Sequence, residues 1–282
     1  MEDPEPDSQA EPEAAERTVR LHVQRGDAAS GTRLVTYQVP VQEGMVVLDA
    51  VLWVQSHLEG DLAVRWNCKA AKCGSCSAEI NGFPQLMCKT RLSQYPEGDV
   101  TVRPMHTFPL VRDLVTDVSW NYEVNRRIPP FTPSAAALAS PEPWRMAQED
   151  VDRVIEFRKC IECFLCQDVC HVLRNHDRED AFFGPRFMIR MATLEMHPKD
   201  VLDRTPMLRG EAGAGMCNIT KCCTEVCPEH IHITDNAIIP LKERMDDIYF
   251  DPVRAVGRLF AGRRTRKPEE TPTRGKRPIR EG

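Results

Sequence analysis

Two runs near the start of the chain alternate apolar and polar positions. Val19, Leu21 and Val23 form the apolar face of the first run. The second run has four apolar positions at the same spacing: Val35, Tyr37, Val39 and Val41. A period of two is the pattern of a strand with one buried face. Because a turn-like stretch from 26 to 31 separates the runs, we predict a β-hairpin.

The apolar spacing then becomes helical and afterwards returns to short strand-like runs. One amphipathic helix is predicted from five apolar positions: Val47, Leu48, Val51, Leu52 and Val54. Asn81-Gly82 separates the runs 77–80 and 83–87, and this dipeptide suits a tight type I′ turn. Residues 100–103 add a closing strand. A hairpin, a helix and further strands in this order predict a β-grasp domain.

The second half of the chain has helical rather than alternating spacing. A Pro- and Ala-rich stretch, residues 129–146, is predicted to be a linker. The sheet domain before it spans 17–128 and ends in a connector with some helix at 110–118. The domain after the linker, residues 147–250, is predicted to contain three helices: 151–157, 185–196 and 238–249. The expected class is α+β, with an all-α second domain that depends on bound metal more than on a large apolar core.

The net charge of −5 is unevenly distributed along the chain. Residues 1–16 carry seven acids and no base, so we expect a disordered acidic tail. Residues 251–282 form a basic tail, with ten Arg or Lys and three acids between 254 and 282. This tail is either a solvated disordered end or a contact for anionic lipid or nucleic acid. No stretch approaches the roughly 18 apolar residues of a membrane span.

The chain has twelve cysteines. Its N-terminal residues show the features of neither a secretory signal nor a transit peptide, so the expected compartment is the reducing cytoplasm. Cysteines there indicate metal or cluster binding rather than disulfides. Four of them follow the plant-type 2Fe-2S spacing C-x4-C-x2-C…C: Cys68, Cys73, Cys76 and Cys88. Small residues fill this loop. They are expected there because the backbone must wrap closely around the cluster for its amides to point at sulfur. A zinc ribbon is the alternative.

A second group of cysteines has the spacing C-x2-C-x2-C-x3-C. It consists of four residues: Cys160, Cys163, Cys166 and Cys170. In bacterial iron–sulfur loops the first three bind one 4Fe-4S cluster and the fourth binds its neighbour. A later run ends in Cys227-Pro228, the same signature, so Cys227 is predicted to complete the 4Fe-4S set. Zinc is again the alternative, but a third cysteine at this spacing is superfluous to a tetrahedral ion.

The remaining cysteines predict a cluster with three irons. When the later run is aligned with the first, Cys217, Thr220, Cys223 and Cys227 occupy the four ligand positions. Thr220 takes the middle position, which leaves three thiolates for a 3Fe-4S cluster: Cys170, Cys217 and Cys223. Cys222 lies one residue out of register and is predicted to be a buried thiol outside the ligand set.

A 2Fe-2S β-grasp domain of the plant ferredoxin type, followed by a bacterial-ferredoxin-like helical domain with two clusters, is a specific combination. It resembles the iron–sulfur subunit of succinate dehydrogenase and fumarate reductase from about residue 18 to about 250. The resemblance rests on four motifs: R-x2-C-x4-C-G-x-C at 65–76, the cysteines of 160–170, those of 217–228, and Phe183-Gly184-Pro185.

The resemblance implies an electron relay on the cytoplasmic face of the bacterial plasma membrane. Electrons would leave an FAD-containing catalytic subunit, pass through 2Fe-2S, 4Fe-4S and 3Fe-4S clusters, and reach quinone (ubiquinone or menaquinone) beside a membrane anchor subunit. The chain has no Gly-rich dinucleotide fingerprint for a flavin of its own, which agrees with a relay role. In the succinate dehydrogenase direction the complex would belong to the tricarboxylic acid cycle and the respiratory chain.

Two residues depart from the family pattern where quinone is expected. His171 follows Cys170 in place of the usual Pro, and Asn218 follows Cys217 in place of a frequent His. We assign both to the surroundings of quinone, with a packed histidine as the alternative for His171. Another flavoprotein dehydrogenase is an alternative partner. A metal-bearing nucleic-acid-binding protein is a further alternative, but the basic tail lacks interleaved aromatics and no finger spacing accompanies it, so no nucleic acid is expected.

Overall fold

A five-stranded mixed sheet forms the N-terminal half of the computed structural model, which describes residues 17–176 and 179–249. Its strands are β1 (Thr18–Asp27), β2 (Gly31–Pro40), β3 (Ser77–Ile80), β4 (Phe83–Leu86) and β5 (Asp99–Arg103). The strand order is β2-β1-β5-β3-β4, in which β1 and β5 are parallel and the other neighbours antiparallel. The tails predicted at 1–16 and 251–282 lie outside the described residues.

Burial in this sheet confirms the predicted periodicity. Val19, Leu21 and Val23 on β1 are all buried. The predicted helix is α1 (Val47–His57), and it packs its apolar face against β1 and β2. Asn81 and Gly82 join β3 to β4 with φ values of 50° and 80°. Positive φ at both central residues is what a type I′ turn requires, so the hairpin prediction is confirmed as well.

Segment 110–118, predicted to contain helix, forms a short hairpin instead. The hairpin and the helix that follows it have these bounds: β6 (Leu110–Arg112), β7 (Val115–Thr116) and α2 (Ser119–Arg127). The Asp113 side chain at the turn is buried and accepts hydrogen bonds from three donors: Gly26 N at 2.7 Å, Ala63 N at 2.9 Å and Arg25 Nε at 3.1 Å. Because these donors belong to other segments, local spacing does not reveal the turn.

Helices make up the described part of the C-terminal half, as predicted. The α-helices are α3 (Ala135–Ala139), α4 (Gln148–Ile155), α5 (Leu165–Asp168), α6 (His171–Arg174), α7 (Pro185–Glu195), α8 (Thr205–Arg209), α9 (Cys222–Glu225) and α10 (Ile239–Tyr249). Single 3₁₀ turns lie at Leu92–Gln94, Glu156–Lys159 and Ala214–Met216, and a π-helical turn, Ile233–Ile238, leads into α10. None of the helices in the described ranges is long and apolar enough to cross a bilayer.

The helical half has a substantial apolar core, so the expectation that metal would replace one is wrong. The core centres on α7 and its neighbours: Phe182, Phe183, Phe187, Met188, Ile189, Met191 and Leu194. The helix packs against the π-helical turn and α10, and its core is continuous with that of the sheet half. Phe187, Met188, Met191 and Leu194 share the apolar face that the sequence predicts, but α7 is buried on nearly all sides, including at Arg186 and Glu195, so this face indicates only part of the core.

Arg204 fastens the start of the predicted linker to the helical half. Its side chain is 1% exposed. It donates hydrogen bonds to Pro129 O at 3.1 Å, Pro130 O at 2.6 Å and Asp200 Oδ2 at 2.9 Å. A buried guanidinium that satisfies two carbonyls and a carboxylate holds the start of the linker against the segment 200–204. Residues 129–146 therefore begin as an anchored segment rather than as a free linker.

Arg204→Met is expected to lower the free energy of unfolding by about 3–5 kcal/mol, because it leaves the buried Asp200 carboxylate without its cation. Denaturant unfolding of the purified chain measures this loss. Arg126→Met is the matched control, since the ion pair of Arg126 with Glu123 is exposed. The control should cost less than about 1 kcal/mol. Equal losses in the two variants would contradict a structural role for Arg204.

Candidate metal centres

The loop before β3 arranges the first group of cysteines. Three residues of this loop have positive φ: Lys69 (52°), Ala71 (55°) and Gly74 (69°). Cys68 Sγ accepts hydrogen bonds from Ala70 N and Lys72 N, both at 3.3 Å. Backbone amides that point at a ligand sulfur stabilise its negative charge and orient the ligand. This is the amide arrangement that the small residues of the loop predict.

The other cysteines of this group lie beside Cys68 and beside one another. Burial raises the pKa of Cys73, but hydrogen bonds with Ser75 and Cys68 outweigh it and lower the value to about 6. Burial raises the pKa of Cys76 to about 12, and like charge on Cys88 and Cys73 adds to the effect. The structure therefore brings together all four cysteines of the predicted 2Fe-2S site.

Four cysteines line a single cavity in the helical half: Cys160, Cys163, Cys166 and Cys227. Cys160 and Cys163 lie in the loop that leads into α5, Cys166 lies in the first turn of α5, and Cys227 follows α9. Burial raises the pKa of Cys163 to about 12 and that of Cys166 well above its ordinary value, and like charge on the neighbouring thiolates contributes. A metal bound by these thiols would displace their protons and would supply positive charge that stabilises the thiolates.

The backbone of 160–170 is repeated at 217–227. Cys160 and Cys217 each end a 3₁₀ turn in an extended conformation. In each loop, two of the following residues have left-handed φ, and they occupy equivalent positions. Glu162 (55°) corresponds to Ile219 (63°), and Phe164 (61°) corresponds to Lys221 (63°). The short helices α5 and α9 then begin at equivalent positions. By this repeat, Thr220 occupies the backbone position that Cys163 occupies in the first loop.

The third group of thiols contains one cysteine more than the predicted ligands. Burial raises the pKa of Cys170 to about 11, and Cys222 and Cys217 are close enough for their charge to raise it further. Burial likewise raises the pKa of Cys223 to about 12, with Cys222, Cys217 and Cys170 adding to the effect. Cys222 is only partly buried, not the buried thiol predicted, and its Sγ lies 3.3 Å from Thr220 Oγ1.

His171 and Asn218 both lie at the edge of this third group of thiols. His171 is the first residue of α6, directly after Cys170, and is partly exposed. Its ring centroid lies 6.4 Å from that of His176. Asn218 is exposed directly after Cys217, and two apolar side chains on either side of these residues are also exposed: Met216 (40%) and Ile219 (38%). The loop thus presents both polar and apolar groups to the surroundings.

The loops of the first and second groups touch through backbone atoms. A Cβ on Gly74 would lie 2.7 Å from Cys163 Cα, so only glycine permits the observed approach. Ser77 Oγ donates to Cys163 O and lies 2.8 Å from both that oxygen and Gly74 O. Sequence reasoning identified the cysteines but missed Ser77 and the role of Gly74, because the contact joins segments about ninety positions apart.

The residues around the second group fit an iron–sulfur cluster. The thiols converge on one cavity with Arg186, which is 8% exposed. Arg186 Nε is buried and has no hydrogen-bond partner among the described residues, and a cluster sulfur is an acceptor of the kind it requires. Within residues 17–176 and 179–249, no group of three or more His, Cys, Asp or Glu side chains is arranged to hold a single metal ion.

Two families of cluster-binding domains match the chain. Residues 19–123 match the family described as a 2Fe-2S iron-sulfur cluster binding domain. Residues 156–231 match the family described as a 4Fe-4S dicluster domain. Together with the three groups of cysteines, these matches define an iron–sulfur protein with a 2Fe-2S domain followed by a dicluster domain.

The iron–sulfur subunit of fumarate reductase from Mycobacterium tuberculosis is 31% identical over 213 residues, which are 73% of this chain and 84% of the relative. The corresponding subunit from Haemophilus influenzae is 33% identical over 211 residues, 70% of this chain and 81% of the relative. A solved structure, described as the Mycobacterium smegmatis Sdh1 complex in the apo form, contains a chain with 58% identity and a TM-score of 0.81. The match covers 85% of this chain and 100% of that one. The chain belongs to the family of fumarate reductase and succinate dehydrogenase iron–sulfur subunits, the electron-transfer subunits of these enzyme complexes.

Proposed function

We propose that the chain is the electron-transfer subunit of a membrane-bound succinate:quinone oxidoreductase. Electrons pass from a flavoprotein subunit through 2Fe-2S, 4Fe-4S and 3Fe-4S clusters to quinone. The observation that carries this proposal is the spatial sequence of the three groups of thiols. The first group touches the second through Gly74 and Cys163, and the second shares its two cysteine loops with the third.

Each group of residues has a definite task in this relay. When bound, the clusters supply one-electron redox chemistry. Amides of the first loop orient Cys68, and Ser77 holds the first loop against the carbonyl of Cys163. In the helical half, Cys227 from the second loop completes the 4Fe-4S ligands of the first loop. Cys170 from the first loop joins the 3Fe-4S ligands of the second loop, so each loop supports both clusters. Thr220, with no thiol to offer a fourth iron, supports the 3Fe-4S assignment for Cys170, Cys217 and Cys223.

The folds that we propose for the two halves are a plant-type β-grasp ferredoxin domain and a bacterial-ferredoxin-like domain. The strand order β2-β1-β5-β3-β4 with one helix across the sheet supports the first. The repeated loops with their short helices support the second. We keep the boundaries at 17–128, 129–146 and 147–250.

The third group of thiols faces the site that we propose for quinone and the membrane anchor. His171 and Asn218 flank its cysteines, and the exposed side chains of Met216 and Ile219 lie in the same loop as Asn218. Exposed apolar groups rimmed by polar ones are typical of an interaction surface. We place this surface on the cytoplasmic face of the plasma membrane, with ubiquinone or menaquinone as the acceptor.

The complex should be purified from the source cell in mild detergent and assayed for succinate-dependent quinone reduction. Co-purification with a flavoprotein and a membrane protein, together with this activity, is the expected result. A different flavoprotein, such as a 2-hydroxy acid dehydrogenase, would identify an alternative partner. Co-purified nucleic acid without a flavoprotein would refute the relay.

Iron should approach about nine per chain, as two, four and three irons in the three clusters. Zinc should be negligible. Metal analysis of the anaerobically purified chain tests this count, with acid-labile sulfide as a second measure of the same clusters. Stoichiometric zinc with little iron would refute the cluster assignments.

Membrane association is expected to require the anchor subunit. The chain expressed alone should not bind vesicles firmly at high salt, because the described helices offer no span. Vesicle flotation at low and high salt measures this. Binding that disappears with salt would instead identify the basic tail as the contact, since salt screens such attraction. Salt-resistant binding by the isolated chain would contradict the prediction.

A further inference from the structure

We propose that Arg186 donates a hydrogen bond from Nε to a sulfur of the 4Fe-4S cluster and thereby raises the reduction potential of that cluster. This inference rests on the proposed function, because it requires the cluster at Cys160, Cys163, Cys166 and Cys227. No proton moves in this step: an electron arriving through the relay reduces the cluster by one unit of charge, and Arg186 stabilises the added negative charge.

The first observation is an unused donor in a buried position. Arg186 is 8% exposed, and its Nε lies buried without a hydrogen-bond partner among the described residues. A buried donor left unpaired costs about 1–3 kcal/mol, and more when it is charged. Arg186 also lines the cavity of the four thiols, where the other wall residues include Ile189, Ile231 and Ile233. Isoleucine side chains offer no acceptor, and the carboxylate of Glu229, which also lines the cavity, is paired with Lys72. Sulfur is therefore the side-chain acceptor that remains for Arg186.

The second observation is the balance of charge around Arg186. Its guanidinium lines the same cavity as the four cysteines, where a bound cluster would hold negative charge. Arg186 also forms an ion pair with Glu162. The Glu162 side chain is 47% exposed, whereas that of Arg186 is 9% exposed. Water therefore screens the carboxylate more than the guanidinium, and the positive charge dominates on the cavity side.

The side chain of Gln167 holds the start of α7 in place and thereby positions Arg186. The backbone amide of Arg186 donates a hydrogen bond to Gln167 Oε1 at 3.2 Å. Gln167 also donates to Phe183 O at 3.0 Å and to Asn121 Oδ1 at 3.2 Å. Gly184 meets the same glutamine so closely that a Cβ would lie 2.1 Å from its Oε1. A side chain placed by such a network can act on the cluster at a defined distance.

The test is a redox titration of the 4Fe-4S cluster, followed by EPR, in the purified complex. Arg186→Met should shift its midpoint potential downward, and Arg186→Lys should shift it less because the charge is kept. Glu162→Gln should shift it upward, since the opposing carboxylate is removed. Arg190→Met removes a cation from the next turn of the same helix and should leave the potential unchanged. The potentials of the other two clusters serve as internal references.

Pulsed EPR with ¹⁵N-labelled arginine detects the contact itself. The reduced wild-type cluster should show a nitrogen coupling that Arg186→Met lacks and Arg190→Met retains. An unchanged potential in Arg186→Met with its cluster intact would overturn the inference while the relay stands. If Arg186→Met loses its 4Fe-4S cluster, the other two variants decide. An unchanged midpoint potential in both Arg186→Lys and Glu162→Gln would then overturn the inference. Absence of a 4Fe-4S signal from the wild type would refute both the inference and the proposed function.

Discussion

Gly74→Ala is expected to slow electron transfer from the 2Fe-2S to the 4Fe-4S cluster, because it increases the distance between the two loops that hold them. The added Cβ would lie 2.7 Å from Cys163 Cα and 2.9 Å from Cys163 Cβ. Because both atoms belong to a cluster-binding loop, neither can move away without disturbing the cluster. The two loops must separate, and Ser77 must lose one of its two acceptors.

The same substitution is expected to reduce stability. An L-residue in the left-handed region costs about 1–2 kcal/mol, and an overpacked contact typically adds about 1–3 kcal/mol. Gly82→Ala isolates the first contribution, since Gly82 has a φ of +80° with nothing within 4 Å of an added Cβ. Gly60→Ala lacks both contributions. Melting temperatures should therefore fall in the order Gly60→Ala, Gly82→Ala, Gly74→Ala.

Rapid-mixing EPR of the complex after addition of succinate separates the transfer step from general instability. In Gly74→Ala, the 2Fe-2S signal should appear at the wild-type rate and the later clusters should be reduced late. Gly82→Ala should delay none of them. Reduction of all clusters at wild-type rates in a folded Gly74→Ala complex would show that the contact between Gly74 and Cys163 is not the route of transfer.

Thr220→Cys is expected to convert the proposed 3Fe-4S cluster into a 4Fe-4S cluster. Thr220 occupies the backbone position of Cys163, a ligand position in the first loop. Its hydroxyl has a far higher pKa than a thiol, for which the ordinary value is about 8.5, and cannot replace a thiolate at neutral pH. A cysteine at this position supplies the missing ligand. The new cluster should have a lower potential, since cluster type is a main determinant of potential.

A lower potential has a measurable effect on turnover. Each fall of about 59 mV makes transfer of one electron onto the cluster about tenfold less favourable. We expect succinate-dependent quinone reduction to slow by up to about tenfold for each fall of this size, while electrons still enter from the flavin normally. EPR of the oxidised complex should show a three-iron signal in the wild type that Thr220→Cys lacks.

Two neighbouring cysteines provide the control for this assignment. Cys223→Ser should abolish the three-iron signal, whereas Cys222→Ser should retain it. The comparison is demanding because Cys222 Sγ lies only 3.3 Å from Thr220 Oγ1 and close to Cys170 and Cys217. Loss of the signal in Cys222→Ser but not in Cys223→Ser would show that the register of the second loop is wrong.

The cysteine groups could be predicted from the sequence because their spacing is local. Ligands three residues apart belong to one tight loop, and a loop of this kind must turn around its metal. The periodicity of β1 and α1 is local too, and their buried faces follow it. Cys222 was assigned less well: the spacing excluded it from the ligand register, but the structure places its thiol beside the ligands and leaves it partly exposed.

The sequence by itself therefore predicted a sheet-based half followed by a helical half, the family, and the grouping of every cysteine except Cys222. Tertiary structure alone decided how these parts meet. The hairpin at 110–116 depends on Asp113 and its donors, and the contact of Gly74 with Cys163 joins two halves of the chain. Arg186 faces the thiols because α7 starts against Gln167. Each of these features depends on groups that are distant in sequence, and local spacing contains no information about such pairs.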